Sequence, residues 1–355
     1  LRGYLALCVL AHHFVLWLQV TRLGGAWGAP AVPFFNQLGA GAVSLFFMVT
    51  GLVFYPRILA GFSATPWAEV LTNRVFRIMP LLSLSVAIIV GIAAWRSGQP
   101  VSATDTGPLL QWVTAWKQPD LVGYREAGRI NAYVLWSIKC EWLFYAIVLP
   151  LAAALRDMTR AYLPSIVIPI SLCLVAILDR YIHIPFAMYL PLFAGGMFAY
   201  EVAINLECTA IFKSRFVTIA TPMLLVAAAS FYATPLSIAL PIFTVFFTCV
   251  VSENDSFGLL RHPAASVLGE ISFSVYLLHG ILLSLFFVEG HTLTDALPTA
   301  LLPLWLPILS AVIVLLASVT YLAIERPAIR MGVRIARNLA KKRRSPMAIE
   351  ADIAP

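Results

Sequence analysis

The sequence predicts an all-α membrane protein, a polytopic bundle of about ten transmembrane helices with both termini in the cytoplasm. Hydrophobic residues make up 61% of the 355 residues and charged residues only 12%, roughly half the charged share of a soluble protein. A single water-soluble core cannot hide this much apolar surface, whereas lipid can solvate it directly. Apolar runs recur along the chain, and proline, glycine or charged residues separate them.

The apolar runs are long enough to cross a bilayer, which requires about 20 residues per helix. They cover approximately residues 4–20, 37–56, 79–95, 133–155, 163–178, 186–202, 216–232, 235–251, 267–288 and 300–323. Several contain a proline, such as Pro169 or Pro241, which a membrane helix tolerates because neighbouring helices satisfy the freed carbonyl group. We therefore predict a membrane domain over residues 1–330 and a basic, disordered cytoplasmic tail over residues 331–355.

Basic residues predict the orientation of the bundle. One set of segment ends carries most of them: Arg2, Arg57, Arg74, Arg77, Arg156, Arg160, Lys213, Arg215, Arg261 and the basic tail. The positive-inside rule assigns this side to the cytoplasm, and an even number of spans returns both termini to it. The net charge of +7 then reflects orientation in a membrane, and we expect no nucleic-acid partner. Because the chain begins at Leu1, we expect native residues to precede it.

The longest predicted external segment, residues 96–132, mixes aromatic, acidic and basic side chains. They are Trp112, Trp116, Asp120, Tyr124 and Arg125. Such a set either holds a sugar or lies among the lipid head groups as an aromatic belt, and the sequence favours neither.

Polar side chains within the apolar segments are the candidate functional residues, because burying them in lipid is costly. Arg2 and His13 are eleven residues apart, about three helical turns, so they lie on nearly the same face of the first helix. His13 then lies roughly 16 Å deeper in the membrane than Arg2. A desolvated imidazole is neutral and can act as a general base. The alternative is a histidine that only bonds to a neighbouring helix.

Glu141 is the candidate carboxylate of the fourth segment, within 136-WSIKCEWLFY-145. Ser137 and Tyr145 lie one turn before and one turn after it on the same helix face. A carboxylate at this depth must be protonated, paired or hydrated. It either pairs with a second helix to lock the bundle or takes part in the chemistry of a substrate.

The third and ninth segments carry the remaining candidates. Arg74 and Arg77 are three residues apart at the predicted cytoplasmic end, where they suit a phosphate-rich ligand or serve as ordinary flanking charges. Ser272, Tyr276 and His279 share one face of the ninth segment. That face either lines a substrate passage or joins helices.

Several kinds of site have no sequence signature. The chain contains no HExxH helix, no phosphate-binding glycine loop and no GxSxG turn, so we expect neither a metal site nor a permanently bound cofactor. None of the 5 cysteines has CxxC spacing, which predicts free thiols rather than disulfide bonds or a metal knuckle.

Six short motifs contain most of the candidate residues. They are 2-RGYLALCVLAHH-13, 45-LFFMVTGLVF-54, 74-RVFRIMP-80, 136-WSIKCEWLFYAIVLP-150, 271-ISFSVYLLH-279 and 325-ERP-327. In this order they resemble the motifs of the acyltransferase-three family of integral-membrane acyltransferases. Thr50-Gly51 stands where that family usually has Ser-Gly, a departure that keeps the hydroxyl group. The Asp-Gly that commonly precedes the first motif is absent.

The resemblance implies an activity, a location and partners. Members of the family are multi-pass proteins of the bacterial cytoplasmic (inner) membrane. They take an acyl group, most often acetyl, from acyl-CoA as a co-substrate. They pass it to a hydroxyl of a carbohydrate or glycolipid, such as a lipopolysaccharide or exopolysaccharide sugar. Since the chain ends soon after its last apolar segment, we expect no fused extracytoplasmic hydrolase-like domain.

The resemblance also implies roles for individual residues. His13 and Glu141 are expected to be catalytic, with His13 removing the proton of the acceptor hydroxyl as it attacks the thioester. Glu141 would orient His13 or bind the acceptor. Arg2, Arg74 and Arg77 are expected to bind the phosphates of acyl-CoA. The substrate-binding or supporting residues are Thr50, Ser137, Tyr145, Tyr276 and His279. The oxyanion partner stays open among Thr50, Ser137 and Tyr145, as does direct transfer against an acyl-enzyme on His13.

Two other classes of protein remain. A transporter or flippase for a lipid-linked sugar suits many helices with mid-membrane His and Glu residues, although the sequence has no internal repeat and no paired discontinuous helices. A sensory or scaffold protein does not require the Arg, His and Glu set. Hydrolysis of acyl-CoA by the purified protein favours an enzyme, and acceptor flux without acyl loss favours transport.

Overall fold

The protein is a bundle of helices in the computed structural model, which describes residues 1–184, 186–206 and 209–351 and contains no strand in those ranges. The α-helices are α1 Arg2–Arg22, α2 Pro33–Ala60, α3 Trp67–Ser97, α4 Thr106–Val113, α5 Leu135–Leu143, α6 Leu149–Thr159, α7 Val167–Ile182, α8 Leu190–Tyr200, α9 Arg215–Phe231, α10 Ala239–Val251, α11 Pro263–Glu270, α12 Ser272–Ser284, α13 His291–Ala296, α14 Trp305–Thr320 and α15 Arg326–Ala351. Wider π-helical turns extend four of them, at Phe144–Val148, Glu201–Asn205, Leu285–Glu289 and Tyr321–Glu325. Short 3-10 turns occur at Ala103–Asp105, Ala127–Asn131, Ala187–Tyr189, Ile211–Lys213 and Thr299–Leu304.

Seven helical stretches are long and apolar enough to cross a membrane. They are Arg2–Arg22, Pro33–Ala60, Trp67–Ser97, Leu135–Thr159, Ala187–Asn205, Ser272–Glu289 and Thr299–Leu339. Three shorter apolar helices, Val167–Asp179, Arg215–Phe231 and Ala239–Val251, coincide with the other predicted segments. The prediction of an all-helical, multi-pass membrane protein is thus confirmed. The number of ten spans and the cytoplasmic position of the termini stay predictions.

Two helices extend further than the apolar runs indicated. Helix α3 begins at Trp67, whereas the predicted segment began at residue 79, because Arg74 and Arg77 interrupt the apolar run without ending the helix. Helix α15 continues beyond residue 330, where a disordered tail was predicted. The two extensions pack together, since a Cβ added to Gly332 would lie 2.6 Å from the Cβ of Phe76. The division of the chain at residue 330 and the location of the tail stay predictions, and residues 352–355 lie outside the described residues.

Helix directions define two ends of the bundle. Helix α1 runs in the same direction as α11 and α12. Their contacts, from one end to the other, are the pairs Gly3–Leu268, His13–His279 and Trp17–Phe287. We call the end that carries Arg2, Arg74 and Arg77 the arginine end. We call the opposite end, which carries residues 98–134, the loop end.

Helices α2 and α8 approach closely at two glycines. A Cβ added to Gly51 would collide with the carbonyl oxygen of Phe193, and one added to Gly196 would collide with that of Met48. Small residues of this kind allow backbone contact in a membrane, where packing rather than the hydrophobic effect holds helices together. The contact also holds Thr50, the neighbour of Gly51, in a fixed position on α2.

Residues 98–134 fold into a compact cap at the loop end. The indole of Trp112 is fully buried there and donates a hydrogen bond to the carbonyl of Pro119 (2.9 Å). Hydrogen bonds from the backbone N–H and the hydroxyl of Ser102 lower the pKa of Asp105. Trp116 is exposed, and the ammonium group of Lys139 lies 4.3 Å from its ring centre. Trp112 therefore stabilises the cap itself, a role outside the two alternatives that the sequence suggested.

Candidate functional site

A column of polar side chains runs through the bundle from the arginine end towards the loop end. It contains every residue to which the family resemblance gave a role. In order from the arginine end they are Arg77, Arg74, Arg2, Thr50, Tyr145, Glu141, Ser137, Tyr276, His279 and His13. Helices α1, α2, α3, α5 and α12, with the π-helical turn Phe144–Val148, contribute these residues. The tertiary structure thus joins candidates from five separate motifs into one continuous region.

The arginine end opens into a passage made of three successive cavities. The outermost is the widest and opens to the outside of the bundle, and two much narrower ones lie further in. Arg2 lines all three, and Arg74 and Arg77 line the outer two. Glu141 lines both inner cavities, and Tyr276 lines the innermost one. A ligand that enters between the arginines can therefore extend inwards as far as Tyr276.

The three arginines differ in their protein partners. Arg77 lies 3.7 Å from the carboxylate of Glu325, which also accepts a hydrogen bond from Ser274. The guanidinium of Arg74 lies over the rings of Phe54 and Tyr145, at 5.0 and 5.7 Å from their centres. A π-helical turn, Tyr321–Glu325, ends at Glu325 and directs it into the bundle.

Arg2 is the least paired of the three. Its Nε atom is buried and has no hydrogen-bond partner in the described part of the chain. Arg2 and Arg74 also form no ion pair within 4 Å among the described residues, so they keep charge-assisted donors free for a ligand. Because guanidinium groups match phosphate oxygens in geometry and charge, the mouth of the passage suits a phosphorylated ligand.

Glu141 lies between the arginines and the inner cavity. Its carboxylate accepts hydrogen bonds from the hydroxyls of Tyr145 (3.2 Å) and Thr50 (3.5 Å). His13 is not among its contacts in the described structure. Glu141 was expected either to orient His13 or to bind the acceptor. The geometry assigns the first of these roles to another residue.

A pair of hydroxyl groups forms the wall of the innermost cavity. The Ser137 Oγ and Tyr276 hydroxyl oxygens are 2.6 Å apart, and they lie 3.1 and 3.2 Å from the carbonyl oxygen of Val134. The two hydroxyl protons serve the carbonyl of Val134 and the bond between the two hydroxyls. When Ser137 donates to Val134, the Tyr276 proton lies in the bond to Ser137, and it can turn from that bond to a charged acceptor in the cavity.

His13 and His279 form a hydrogen-bonded pair on facing helices. The Nδ1 atom of His13 lies 2.9 Å from Nε2 of His279, and Nδ1 of His279 lies 3.2 Å from the carbonyl oxygen of Val275. A carbonyl only accepts, so Nδ1 of His279 carries a proton, and Nε2 of the neutral ring is an acceptor. Nδ1 of His13 must then donate to it, with the carbonyl of Val9 as a second acceptor at 3.1 Å. This arrangement leaves a free lone pair on Nε2 of His13, the atom required of a general base.

The rings around this pair hold it in place. His279 is fully buried, and the ring of Tyr276 lies 5.9 Å from its own. His12 packs edge-on against His13 and bonds to the carbonyl of Phe35 at 2.8 Å, so it has a packing role. His279 was predicted only as a supporting residue. Its contact with His13 joins residues 266 positions apart, and no local sequence pattern signals such a contact.

No group of three or more His, Cys, Asp or Glu side chains within the described residues is arranged to hold a metal ion. Of the cysteines, Cys8, Cys140, Cys173 and Cys249 are free thiols, and Cys208 lies outside the described residues.

Comparison with known proteins adds a family relationship. The acyltransferase family 3 model, which describes an acyltransferase domain, matches residues 1–323. The matched region contains every residue of the polar column. Neither a curated protein nor a solved structure matches the chain.

Proposed function

Because the chain belongs to acyltransferase family 3 and is a membrane acyltransferase, we propose that it transfers an acetyl group from acetyl-CoA to a hydroxyl of a cell-surface carbohydrate, such as a lipopolysaccharide or exopolysaccharide sugar. In this proposal the protein lies in the bacterial cytoplasmic membrane, the arginine end faces the cytoplasm, and acetyl-CoA enters there. The observation that carries the proposal is the continuous column from the arginines to the free Nε2 atom of His13.

The arginine end supports binding of the donor. Arg2 and Arg74 offer unpaired guanidinium groups to the phosphates of a coenzyme A molecule. The pantetheine arm would follow the passage inwards, past Glu141. His13 lies about 16 Å beyond Arg2 along α1, so the arm that joins the bound phosphates to the thioester must be extended. Acetyl-CoA is a co-substrate in this scheme, and no permanently bound cofactor is needed.

The chemical step needs a base and an oxyanion partner. Nε2 of His13 takes the proton of the acceptor hydroxyl. At the same time the oxygen of that hydroxyl bonds to the carbonyl carbon of the thioester. The carbonyl oxygen becomes an oxyanion and accepts a hydrogen bond from Tyr276. Collapse breaks the carbon–sulfur bond, and the imidazolium of His13 returns the proton to the leaving thiolate. The products are an acetyl ester and coenzyme A. A route through an acetyl group on His13 uses the same atoms, and trapping an acetylated enzyme without acceptor distinguishes the two.

Acetyl transfer can be tested in membranes that contain the protein. We expect label from acetyl-CoA, carried in the acetyl group, to enter the glycan fraction, and matched membranes without the protein to give none. A repeat with succinyl-CoA tests the choice of acyl group. If the glycan stays unlabelled with both donors although the protein is correctly inserted, the proposal is contradicted. Movement of glycan across the membrane without loss of the acyl group from acyl-CoA would favour the transporter alternative.

The donor-binding part makes a separate prediction. We expect Arg74→Ala to raise the KM for acetyl-CoA roughly 10- to 100-fold, because a hydrogen bond to a charged group contributes about 1.5–3 kcal/mol. Arg74→Lys should restore only part of the affinity, since an ammonium group lacks the planar fork of a guanidinium. The measurement is the initial transfer rate as a function of acetyl-CoA concentration.

Arg57→Ala is the matched control for this prediction. Arg57 is an exposed arginine in the last turn of α2, and none of the three cavities is lined by it. Its removal should leave the KM for acetyl-CoA within about twofold, as is usual for an exposed charge. An unchanged KM in Arg74→Ala, with only kcat lowered, would show that Arg74 does not bind the donor.

A further inference from the structure

At the loop end, beside the histidine pair, five side chains form a group that the mechanism above does not use. They are Trp17, Trp27, Arg129, Asn131 and Tyr133, which we call the loop-end cluster. They come from α1, from the segment after it, and from the cap over residues 98–134.

Trp17 connects the cluster to His13. The two residues are one helical turn apart on α1, about 6 Å along its axis and on the same face. The indole of Trp17 stacks on Phe287, with ring centres 6.0 Å apart, and the edge of Trp27 packs against it at 5.1 Å. Trp27 in turn contacts the ring of Tyr133 at 6.1 Å. Aromatic surface therefore continues outwards from the level of His13.

Asn131 connects the cluster to the other histidine. Its backbone packs so tightly on Gly280 that a Cβ added to that glycine would collide with the carbonyl group of Asn131. Gly280 directly follows His279, so the cap meets α12 at the turn that carries the histidine pair. The side-chain oxygen of Asn131 accepts a hydrogen bond from Gln118 (2.6 Å). The loop-end cluster thus adjoins both members of the pair.

Three N–H donors of the cluster have no acceptor in the described part of the chain. They are the Nε1 atom of Trp17, the Nε atom of Arg129 and the Nδ2 atom of Asn131, and all three are buried. Trp17 is 4% exposed and Asn131 only 1% exposed. Buried polar groups in native proteins are nearly always hydrogen-bonded, so a group of unpaired donors beside a reaction centre indicates a ligand that supplies acceptor oxygens.

The charge of the cluster restricts the kind of ligand. Arg129 carries its only positive charge, and Nη2 of Arg129 already pairs with the carboxylate of Glu126 at 2.6 Å. The region therefore offers two neutral donors, one donor of an arginine that is already ion-paired, and aromatic faces, in contrast to the guanidinium groups without an ion pair at the arginine end. Trp27, Arg129 and Tyr133 are only half-buried, so a ligand can reach them from the loop end.

From this arrangement we propose that the loop-end cluster is the acceptor site and that it binds an uncharged sugar residue. A sugar ring presents C–H faces that pack on aromatic side chains and oxygen atoms that accept N–H hydrogen bonds, the two features that the cluster offers. Because Trp17 is one helical turn from His13, a sugar bound beside Trp17 would bring a hydroxyl within reach of Nε2 of His13. This inference rests on the proposed function for the reaction, but binding of a sugar can be measured without it.

The binding test uses protein in phosphatidylcholine nanodiscs, which avoid sugar detergents. The probes are the methyl glycosides of glucose, galactose, mannose, rhamnose and N-acetylglucosamine, observed by saturation-transfer NMR. We expect at least one to bind the unaltered protein. Trp17→Phe keeps an aromatic ring stacked on Phe287 and removes the Nε1 donor. Arg129→Lys keeps the positive charge and removes the Nε donor. Each should weaken binding about 5- to 10-fold, the effect of one hydrogen bond.

Trp116→Phe is the control, because it makes the same chemical change at an exposed tryptophan of the cap. It should bind glycosides as the unaltered protein does. In the membrane assay, Trp17→Phe should raise the amount of acceptor needed for half-maximal transfer and leave the KM for acetyl-CoA unchanged.

Failure of the inference and failure of the proposed function give different results. If the unaltered protein transfers no label but glycoside binding weakens in both variants, the proposed reaction is contradicted and the sugar site is supported. If no glycoside binds the unaltered protein, or both variants bind and transfer as it does, the inference is overturned.

Discussion

Replacing His13 by alanine is expected to lower acetyl transfer roughly 10²- to 10⁴-fold, the usual contribution of a general base. The reason is that Nε2 of His13 has a free lone pair, while both nitrogen atoms of His279 are engaged in hydrogen bonds. The measurement is the initial transfer rate at saturating acetyl-CoA, normalised to the amount of inserted protein. His12→Ala is the neighbouring control and should change the rate only a few-fold, because His12 bonds to a backbone carbonyl instead.

His279 is a positioning residue in this scheme, and two substitutions separate that role from simple packing. His279→Ala removes the acceptor for the Nδ1 proton of His13, so His13 can turn or change tautomer and transfer should fall. In His279→Gln, the side-chain oxygen can occupy the position of Nε2 and accept the same hydrogen bond. We therefore expect glutamine to restore most of the loss. Equal inactivity of the two variants, with normal insertion, would show that accepting this hydrogen bond is not the role of His279. Full activity of both would remove His279 from the mechanism, and full activity of His13→Ala would remove the mechanism itself.

Replacing Tyr276 by phenylalanine is expected to lower kcat roughly 10²- to 10³-fold, because the loss of one oxyanion donor has effects of this size. The KM for acetyl-CoA should stay the same, since the donor acts on charge that develops only in the transition state. Ser137 can still satisfy the carbonyl of Val134, so the substitution should not disturb the helix contact. Steady-state kinetics at varied acetyl-CoA concentration separates kcat from KM.

Two further tyrosines serve as comparisons for this prediction. Tyr4→Phe removes a hydroxyl that bonds to the carbonyl of Leu259 near the protein surface, and it should leave kcat unchanged. Tyr145→Phe removes a donor to Glu141 in the middle of the passage. If Tyr145→Phe shows the large loss of kcat and Tyr276→Phe does not, the oxyanion partner is Tyr145.

The order of groups along the column explains how one bundle can serve two dissimilar substrates. The arginine end offers charge-assisted donors to an anionic ligand, whereas the loop-end cluster offers mostly neutral donors, one ion-paired arginine and aromatic rings. The histidine pair lies between these two regions. Glu141 lines the same cavity as Arg2 and Arg74, and when ionised it reduces the mutual repulsion of the arginines while no ligand is bound.

Part of this description follows from the sequence alone. The length of an apolar run is a local property, so composition predicted where helices cross the membrane and how deep each polar residue lies. The same property selected the residues of the column, because a polar side chain in lipid is costly wherever its partner lies. It did not predict the start of α3, because Arg74 and Arg77 interrupt the apolar run within a helix that begins at Trp67. Helix α15 extends beyond residue 330, and its Gly332 packs against Phe76 of α3.

The partners of these residues were decided only by the tertiary structure. Glu141 was expected either to orient His13 or to bind the acceptor. The bundle brings His279 against His13 and places Glu141 against Thr50 and Tyr145. The aromatic residues of the long external segment were candidates for holding a sugar, yet Trp112 is buried within the cap. Trp17 instead lies one helical turn from His13, and Trp27 packs against Trp17. Composition records what a side chain costs in lipid. The group that pairs with a buried polar side chain is brought to it by the packing of helices far apart in the chain. No local pattern in a single sequence specifies that pairing.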